Sequence, residues 1–270
     1  KITPDQTIDT GNGVYNMHGA RMKDHNWHRG GYGVITTTQT LMYSSNIGVS
    51  RLIDQNYHDH PEKYVQGLYK LGIASPLHLD IPGAGDPFIR MPNKNNWSRT
   101  ALAWMSIGYE TQIPPISTVT FYNAIANNGV LVKPKFVKAI VKDGQVVEEI
   151  PTEVLNPAIA SPKTIQEIQV ILEKVVSEGL GRQAGSKQFH VSGKTGTAQV
   201  SQGRSGYTNG MRQYLVSFCG YFPSEAPRYS CIVAIQKNGY PASGGGMAGP
   251  VFRNIAERVF AKHLAQDLQG

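Results

Sequence analysis

The chain has 270 residues, of which 40% are hydrophobic and 17% are charged, so it is long enough to bury a core and too apolar for wholesale disorder. Its formal net charge of +7 is scattered, with no run of five Lys or Arg residues, which argues against a nucleic-acid-binding tract. No apolar run approaches the roughly 20 residues that span a bilayer. Two cysteines are too few for a disulfide framework.

The first half of the sequence predicts loops followed by helices. Residues 1–35, rich in Gly, His and polar side chains, predict loops with short extended pieces. Hydroxyl side chains at 36–38 offer N-caps, Gly72 and Gly129 offer helix stops, and the Pro-rich residues 76–97 predict a loop. The predicted helices are, in chain order, residues 36–53 with a break at 44–46, 64–71, 99–105 and 117–127.

The second half predicts strands and two long helices. Residues 130–141 alternate as in a β-hairpin, with a turn at 143–144. Ser161 followed by Pro162 predicts the start of an amphipathic helix that ends at Gly179. The last ninety residues predict three strands and a helix, at 189–200, 214–222, 229–236 and 251–260. Because tight turns join antiparallel strands, the sequence predicts an α/β (α+β) fold, an antiparallel sheet flanked by helices with a helix-rich subdomain.

The tripeptide Lys194-Thr195-Gly196 lies inside the first of these predicted strands. With Gly193 it also matches the end of a phosphate-binding P-loop. That motif needs glycine where Gln188 stands, and it must open a helix, whereas this sequence continues as a strand. A nucleotide site is therefore rejected.

Ser44 and Asn46 lie two residues apart at the predicted break between helices. Alone, they are best interpreted as helix caps, which Ser and Asn commonly provide. Together with the Lys-Thr-Gly tripeptide they form two of the three motifs of the acyl-serine signature, in the expected order. The missing motif is Ser-x-x-Lys, because no Ser or Thr of the chain has Lys three positions later.

Over nearly its whole length the sequence resembles the class B penicillin-binding proteins, specifically the cell-division D,D-transpeptidase group. The segments that carry the resemblance are residues 43–48 (YSSNIG), 106–109 (SIGY), 193–199 (GKTGTAQ) and 245–252 (GGMAGPVF). The sequence departs from the family at Glu110, where many members have glycine, and at 179–184, which only loosely resembles the family's Gly-Thr-Gly stretch.

The resemblance implies one transpeptidase domain over 1–270, with a penicillin-binding-protein/serine β-lactamase-like fold. Its helix-rich part is expected at about 36–180, and its sheet and final helix at about 186–265. In the family the Ser-x-x-Lys motif precedes the Ser-x-Asn motif. We therefore expect the domain to be incomplete at its N-terminus and residues 1–270 alone to be inactive.

The resemblance also assigns roles to site residues. Ser44 would relay a proton, Asn46 would hold the nucleophile's lysine and the substrate amide, and Lys194 would attract the substrate's terminal carboxylate. The strand edge would receive an extended peptide. The implied residues are Ser44, Asn46 and Lys194 as catalytic, and Thr195, Gly196 and Thr197 as substrate-binding, with no metal and no cofactor.

The function that the resemblance implies is a peptidoglycan D,D-transpeptidase that cross-links stem peptides through an acyl-serine intermediate and is acylated by β-lactams. Its partners would be stem peptides, lipid-linked precursor and β-lactam antibiotics, not nucleic acid. The full-length protein is expected to be membrane-anchored, with cell-division proteins, at the extracytoplasmic (periplasmic) face of the bacterial inner membrane. One alternative is a serine β-lactamase or penicillin sensor, against which the long interval between Ser44 and Lys194 argues. Another is a non-catalytic interaction module of the division machinery, against which the retained Lys-Thr-Gly-Thr run argues.

The remaining residues of chemical interest are histidines, tyrosines and cysteines. His18, His25 and His28 are interpreted as surface-loop residues and not as metal ligands, since their neighbourhood has no cysteine and the resemblance implies no metal. Tyr207 and Tyr214 lie in or beside a polar loop that is expected to border the site.

If residues 223–227 form a symmetric turn, Cys219 and Cys231 lie opposite each other on one face of the sheet. We expect them to be free thiols, because directly paired strand positions seldom allow unstrained disulfide geometry.

Overall fold

The structure is a computed structural model that describes residues 2–79, 81–93, 95, 97–200 and 212–267. Its helices are α1 Thr37–Met42, α2 Asn46–Tyr57, α3 Pro61–Lys70, α4 Ala101–Met105, α5 Pro115–Ala126, α6 Pro162–Ser177 and α7 Gly249–Asp267. Its strands are β1 Thr7–Asp9, β2 Val14–Met17, β3 Ala20–Lys23, β4 Val34–Thr36, β5 Phe88–Ile89, β6 Thr111–Gln112, β7 Leu131–Val132, β8 Ala139–Lys142, β9 Gln145–Glu149, β10 Val154–Asn156, β11 Ser192–Val200, β12 Gln213–Phe222 and β13 Tyr229–Asn238. None of these helices has the length and apolar character needed to cross a membrane.

The predicted helices form where the sequence supplies local caps. Thr36 and Gln39 form a capping box at the start of α1, and Ser45 accepts a hydrogen bond from the amide of Gly48 at the start of α2. Ser161 caps α6 in the same way, with proline at the first helical position. Each cap satisfies an amide that the helix itself leaves unpaired, so these helix starts are confirmed close to their predicted positions.

The predicted antiparallel sheet from the last third of the chain is also confirmed, with strand order β11-β12-β13. Side chains alternate between its faces. Phe218 and Phe222 contact α7 through Phe252, and Tyr221 faces the opposite way into the cluster of α5 and α6. The sheet is therefore covered on both sides, by the final helix on one face and by helices of the middle part on the other.

The predicted hairpin turn at 143–144 is confirmed, but the strand run predicted over residues 130–141 is divided between two separate ladders. β7 pairs with β10, while β8 pairs with β9 across the predicted turn at 143–144. Pro134 lies two residues after the end of β7, and a proline has no amide to donate to a neighbouring strand. The ladder therefore stops there and the next strand starts a separate hairpin.

The predicted alignment of the two cysteines is wrong as well. Phe222 pairs with Tyr229, so the connection between β12 and β13 has six residues, one more than the symmetric turn would have. Cys219 consequently pairs with Ile232, and Cys231 pairs with Gly220. A shift of one residue reverses the face of every side chain, so the cysteines lie on opposite faces of the sheet, and both are free.

Candidate active site

The Ser-Ser-Asn segment lies in the short connection between α1 and α2. Of its two serines, Ser45 is the N-cap of α2. This leaves Ser44 and Asn46 without a capping role. Ser44 has a φ of 52°, in the left-handed region that serine seldom adopts. Strained conformations of this kind concentrate at functional sites.

Asp24 holds this segment in place, and the sequence interpretation missed it. Asp24 is 1% exposed, and its carboxylate accepts hydrogen bonds from Ser45 Oγ at 2.7 Å and from the amide of Ile47 at 3.0 Å. One residue earlier, the carbonyl of Lys23 accepts from Asn46 Nδ2 at 3.1 Å. No periodicity marks a lone aspartate that acts more than twenty residues along the chain, so only a structure reveals it.

Lys194 lies on β11 and reaches the same segment. Its Nζ donates to Ser44 Oγ at 2.9 Å and to the carbonyl oxygen of Thr195 at 3.2 Å. Burial of the ammonium lowers the pKa of Lys194 to about 8 from its ordinary value of 10.5. The structure thus brings together Ser44 and Lys194, which are 150 positions apart in the sequence.

The other strand residues lie beside this pair. Thr195 Oγ1 is 3.4 Å from the Lys194 amine, and Thr197 Oγ1 accepts from the amide of Gly244 at 3.0 Å. A Cβ at position 196 would lie 2.5 Å from Ser217 Oγ. Glycine at 196 therefore avoids a clash with Ser217 on the neighbouring strand. Among the described residues β11 has one strand neighbour, β12, which leaves its other edge available for an extended ligand.

A cavity of about 650 Å³ opens beside this edge. Asn46 and Thr197 are on its wall, and Arg90 and Glu110 form a 3.0 Å ion pair on the same wall. Glu110 has a φ of 60°, a conformation that glycine adopts without strain.

The histidines and tyrosines singled out in the sequence lie in separate places. His25 Nε2 is 3.1 Å from the hydroxyl of Tyr32, whose ring stacks on Tyr43 next to Ser44. Burial raises the pKa of Tyr32 to about 12 and lowers that of His25. His18 instead contacts an aspartate on α2. Tyr207 lies outside the described residues, and Tyr214 is buried in β12.

The model of the penicillin binding protein transpeptidase domain matches residues 1–257 of this chain. The chain is 28% identical to penicillin-binding protein PbpB of Mycolicibacterium smegmatis, over 96% of this chain and 40% of that protein. It is also 28% identical to peptidoglycan D,D-transpeptidase FtsI of Buchnera aphidicola, over 96% of this chain and 42% of that protein. The chain thus spans about two fifths of the length of these curated relatives.

Solved structures show the same likeness in three dimensions. Penicillin-binding protein 3 of Mycobacterium tuberculosis, complexed with aztreonam, superposes with a TM-score of 0.79 at 28% identity. The match covers 97% of this chain and 58% of that one. The predicted penicillin-binding-protein/serine β-lactamase-like fold is therefore confirmed.

Proposed function

Because the chain belongs to the penicillin binding protein transpeptidase domain family, we propose that its protein is a peptidoglycan D,D-transpeptidase of the class B, cell-division group. It would cross-link stem peptides through an acyl-serine intermediate and be acylated by β-lactams. The observation that carries the proposal is the 2.9 Å hydrogen bond from Lys194 Nζ to Ser44 Oγ. It joins the Ser-x-Asn and Lys-Thr-Gly motifs, two of the three motifs of the acyl-serine signature, into one site beside a cavity.

The reaction would proceed in two steps. A serine of the Ser-x-x-Lys motif, which is not among residues 1–270, attacks the carbonyl carbon of the penultimate D-alanine and gives its proton to a neighbouring base. The tetrahedral intermediate then loses the terminal D-alanine as its C–N bond breaks, and Ser44 relays a proton to the departing amine. In the second step the amine of an acceptor stem peptide attacks the carbonyl carbon of the acyl-serine and gives up a proton. The ester C–O bond breaks, the serine oxygen regains a proton, and the new amide bond is the cross-link.

The residues of this chain would bind and orient the donor peptide. At pH 7 a lysine with a pKa of about 8 is protonated in roughly ten molecules for each neutral one, so Lys194 presents positive charge to the terminal carboxylate. The hydroxyls of Thr195 and Thr197 would donate to the same carboxylate. The open edge of β11 would pair with the peptide backbone, and the amide of Thr197 would stabilise the oxyanion. Asn46, on the cavity wall, would hold the peptide amide.

The wider setting is part of the proposal. Residues 1–270 would form a single transpeptidase domain within a longer protein. That protein would be anchored in the bacterial inner membrane, work on its extracytoplasmic face, use lipid-linked precursor and assemble with cell-division proteins. Support for this setting comes from the family match and from the names of the relatives, two of which are a penicillin-binding protein and a peptidoglycan D,D-transpeptidase.

The direct test is Lys194→Ala in a protein that also includes the Ser-x-x-Lys helix. We expect acylation by a fluorescent penicillin to slow by about 100-fold or more, because the variant loses the positive charge that would bind the carboxylate, and loss of one such electrostatic donor typically costs about 10²–10³-fold. Lys163→Ala is the matched control, since that lysine side chain is 85% exposed on α6, and it should acylate at the wild-type rate. Circular dichroism checks that both variants are folded.

Other outcomes of the same assay would contradict the proposal in distinct ways. A wild-type acylation rate in Lys194→Ala would mean that the active site is placed wrongly. Rapid turnover of a chromogenic β-lactam would identify a β-lactamase instead. No adduct at all with the longer protein would favour a non-catalytic module.

A further inference from the structure

His18, Asp54 and His58 form a side-chain cluster away from the Lys194–Ser44 pair. His18 Nε2 lies 2.9 and 3.0 Å from the two carboxylate oxygens of Asp54, and His58 Nδ1 lies 3.1 Å from Asp54 Oδ1. The two imidazole rings stack with centroids 4.7 Å apart. Both rings thus direct one nitrogen each towards a single carboxylate.

The position of His18 is unusual for its local structure. His18 and Gly19 form the two-residue turn between β2 and β3, with φ values of 52° and 95°. Positive φ at both central residues defines a type I′ turn, in which Asn-Gly is strongly preferred. Asparagine would suit this turn better than histidine. The turn therefore gives no reason for an imidazole here, whereas the contact with Asp54 does.

We propose that His18 Nε2, Asp54 Oδ1 and His58 Nδ1 bind a divalent transition-metal ion of the zinc type. The three ligand atoms all lie within 4.8 Å of one another. Ligand atoms about 2.0–2.2 Å from a tetrahedral zinc ion lie roughly 3.4 Å from one another. Each imidazole nitrogen is already nearer than this to Asp54 Oδ1, so only the two nitrogens have to move towards each other. The His58 side chain is 55% exposed and has room to rotate.

The donor set decides which ions fit. Two imidazole nitrogens and one carboxylate oxygen suit zinc, nickel, copper or cobalt, whereas magnesium and calcium prefer oxygen ligands alone. On binding, the ring protons now directed at Asp54 are replaced by the ion, and each neutral imidazole carries its proton on the other nitrogen. Three protein ligands leave a fourth position for water.

The site would join two elements that also position the Ser-x-Asn segment. β3 ends at Lys23, whose carbonyl binds Asn46 Nδ2 at the start of α2, and Asp54 and His58 lie towards the other end of α2. A bound ion would therefore fasten the β2–β3 turn to α2 and stabilise the folded chain. This replaces the interpretation of His18 as a plain surface-loop residue. It does not depend on the proposed transpeptidase activity.

The test is zinc binding by the purified, tag-free protein after dialysis against EDTA. Isothermal titration calorimetry with zinc chloride should give one site per chain with a micromolar Kd, and zinc should raise the Tm by several degrees. Asp54→Asn and His18→Asn should each weaken binding at least about 100-fold, since each removes a ligand. His18→Asn is the cleaner variant, because asparagine fits the turn and the metal-free fold should persist.

The matched control is His78→Asn, the same substitution at an exposed histidine that also has a positive φ, 46°. It should bind zinc like the unaltered protein, and magnesium chloride should give no heat with either. Cobalt should show visible absorption bands of tetrahedral intensity that His18→Asn abolishes. The proposal is overturned if no binding is seen at zinc concentrations up to about 100 times the expected micromolar Kd. It is also overturned if His18→Asn and Asp54→Asn bind zinc with the Kd of the unaltered protein.

Discussion

Folding buries the amine of Lys194 and removes water from it. Because the charged form loses hydration, the pKa of Lys194 falls from 10.5 to about 8. Between these two values the unfolded chain carries a proton that the folded chain has released. The free energy of unfolding therefore rises with pH across this window. Below about pH 8 the buried ammonium destabilises the fold, although it is the charged form that would attract a substrate carboxylate.

We therefore expect a pH-dependent difference in stability between the unaltered protein and Lys194→Met. From pH 7 to pH 10 the unaltered protein should gain about 2 kcal/mol relative to the variant, as its lysine loses its charge. Urea unfolding at intervals of one pH unit measures the difference. The exposed Lys163→Met provides the control and should run parallel to the unaltered protein. If the free energy of unfolding of Lys194→Met changed with pH in the same way as that of the unaltered protein, the amine of Lys194 would be as hydrated as that of a surface lysine.

The charge on Lys194 also determines how the rate of acylation should depend on pH. If the ammonium attracts the substrate carboxylate, acylation by penicillin at low concentration should fall as pH rises through about 8. A rate that rises through the same pH would assign Lys194 the role of a base. The Ser44 contact permits proton transfer in that case, so the pH profile decides between the two roles.

At the scale of the elements, glycine faces glycine where β11 pairs with β12. Gly193 pairs with Gly220, and a Cβ at 193 would lie 2.5 Å from the Phe218 ring and 2.6 Å from the carbonyl of Cys219. At 220 a Cβ would overlap the carbonyl oxygen of Ser192. These backbone atoms cannot move without distorting the strand that carries Lys194.

Gly220→Ala should accordingly destabilise the protein by about 1–3 kcal/mol, the usual cost of overpacking a core. Gly67→Ala is the comparison, because its Cβ would meet no atom within 4 Å in the interior of α3. It should stabilise by about 0.5–1 kcal/mol through lower chain entropy and better helix propensity. Denaturant unfolding of both variants measures this. Equal effects at the two positions would show that the strand contact is unimportant.

How far the elements were predictable depends on how local their causes are. The starts of α1 and α6 follow from caps within three residues, so sequence was sufficient. The pairing of β7 with β10 and the register of the two cysteines depend on connections whose length the sequence pattern does not specify. Ser44 and Lys194 were recognised as motif residues, whereas Asp24 acts through tertiary contacts and carries no motif.

At the scale of the whole molecule, the proposed site draws on parts of the chain that fold against each other. α5 packs on one face of the sheet and α7 on the other, and α6 contributes side chains to both clusters. The amide of Leu180 donates to the carbonyl of Met42 at the end of α1. These contacts favour one cooperative unit over separable halves. The attacking serine of the proposed reaction lies outside this set, because no Ser or Thr of residues 1–270 has Lys three positions later.

A protein made of residues 1–270 alone should therefore remain unlabelled by penicillin. The groups described here bind and orient, and without an activated nucleophile they give at best weak, reversible binding. After incubation with fluorescent penicillin and denaturation, this protein should show no covalent label. A longer protein that includes the Ser-x-x-Lys helix should label once per chain. Stoichiometric labelling of residues 1–270, mapped by peptide mass to Ser44 or another residue, would require a different catalytic serine.

The hydrogen bond between Lys194 and Ser44 has a consequence for the order of events during synthesis. The two residues are 150 positions apart. Because Lys194 lies nearly three quarters of the way along these 270 residues, a ribosome must make all of that length before the lysine can contact the serine. Closing so long a loop costs roughly 4 kcal/mol of chain entropy, which the packing of the sheet has to supply first. An emerging chain with α1 and α2 already helical therefore has no assembled site. Any compound that recognises the pair meets it only in molecules that have finished folding.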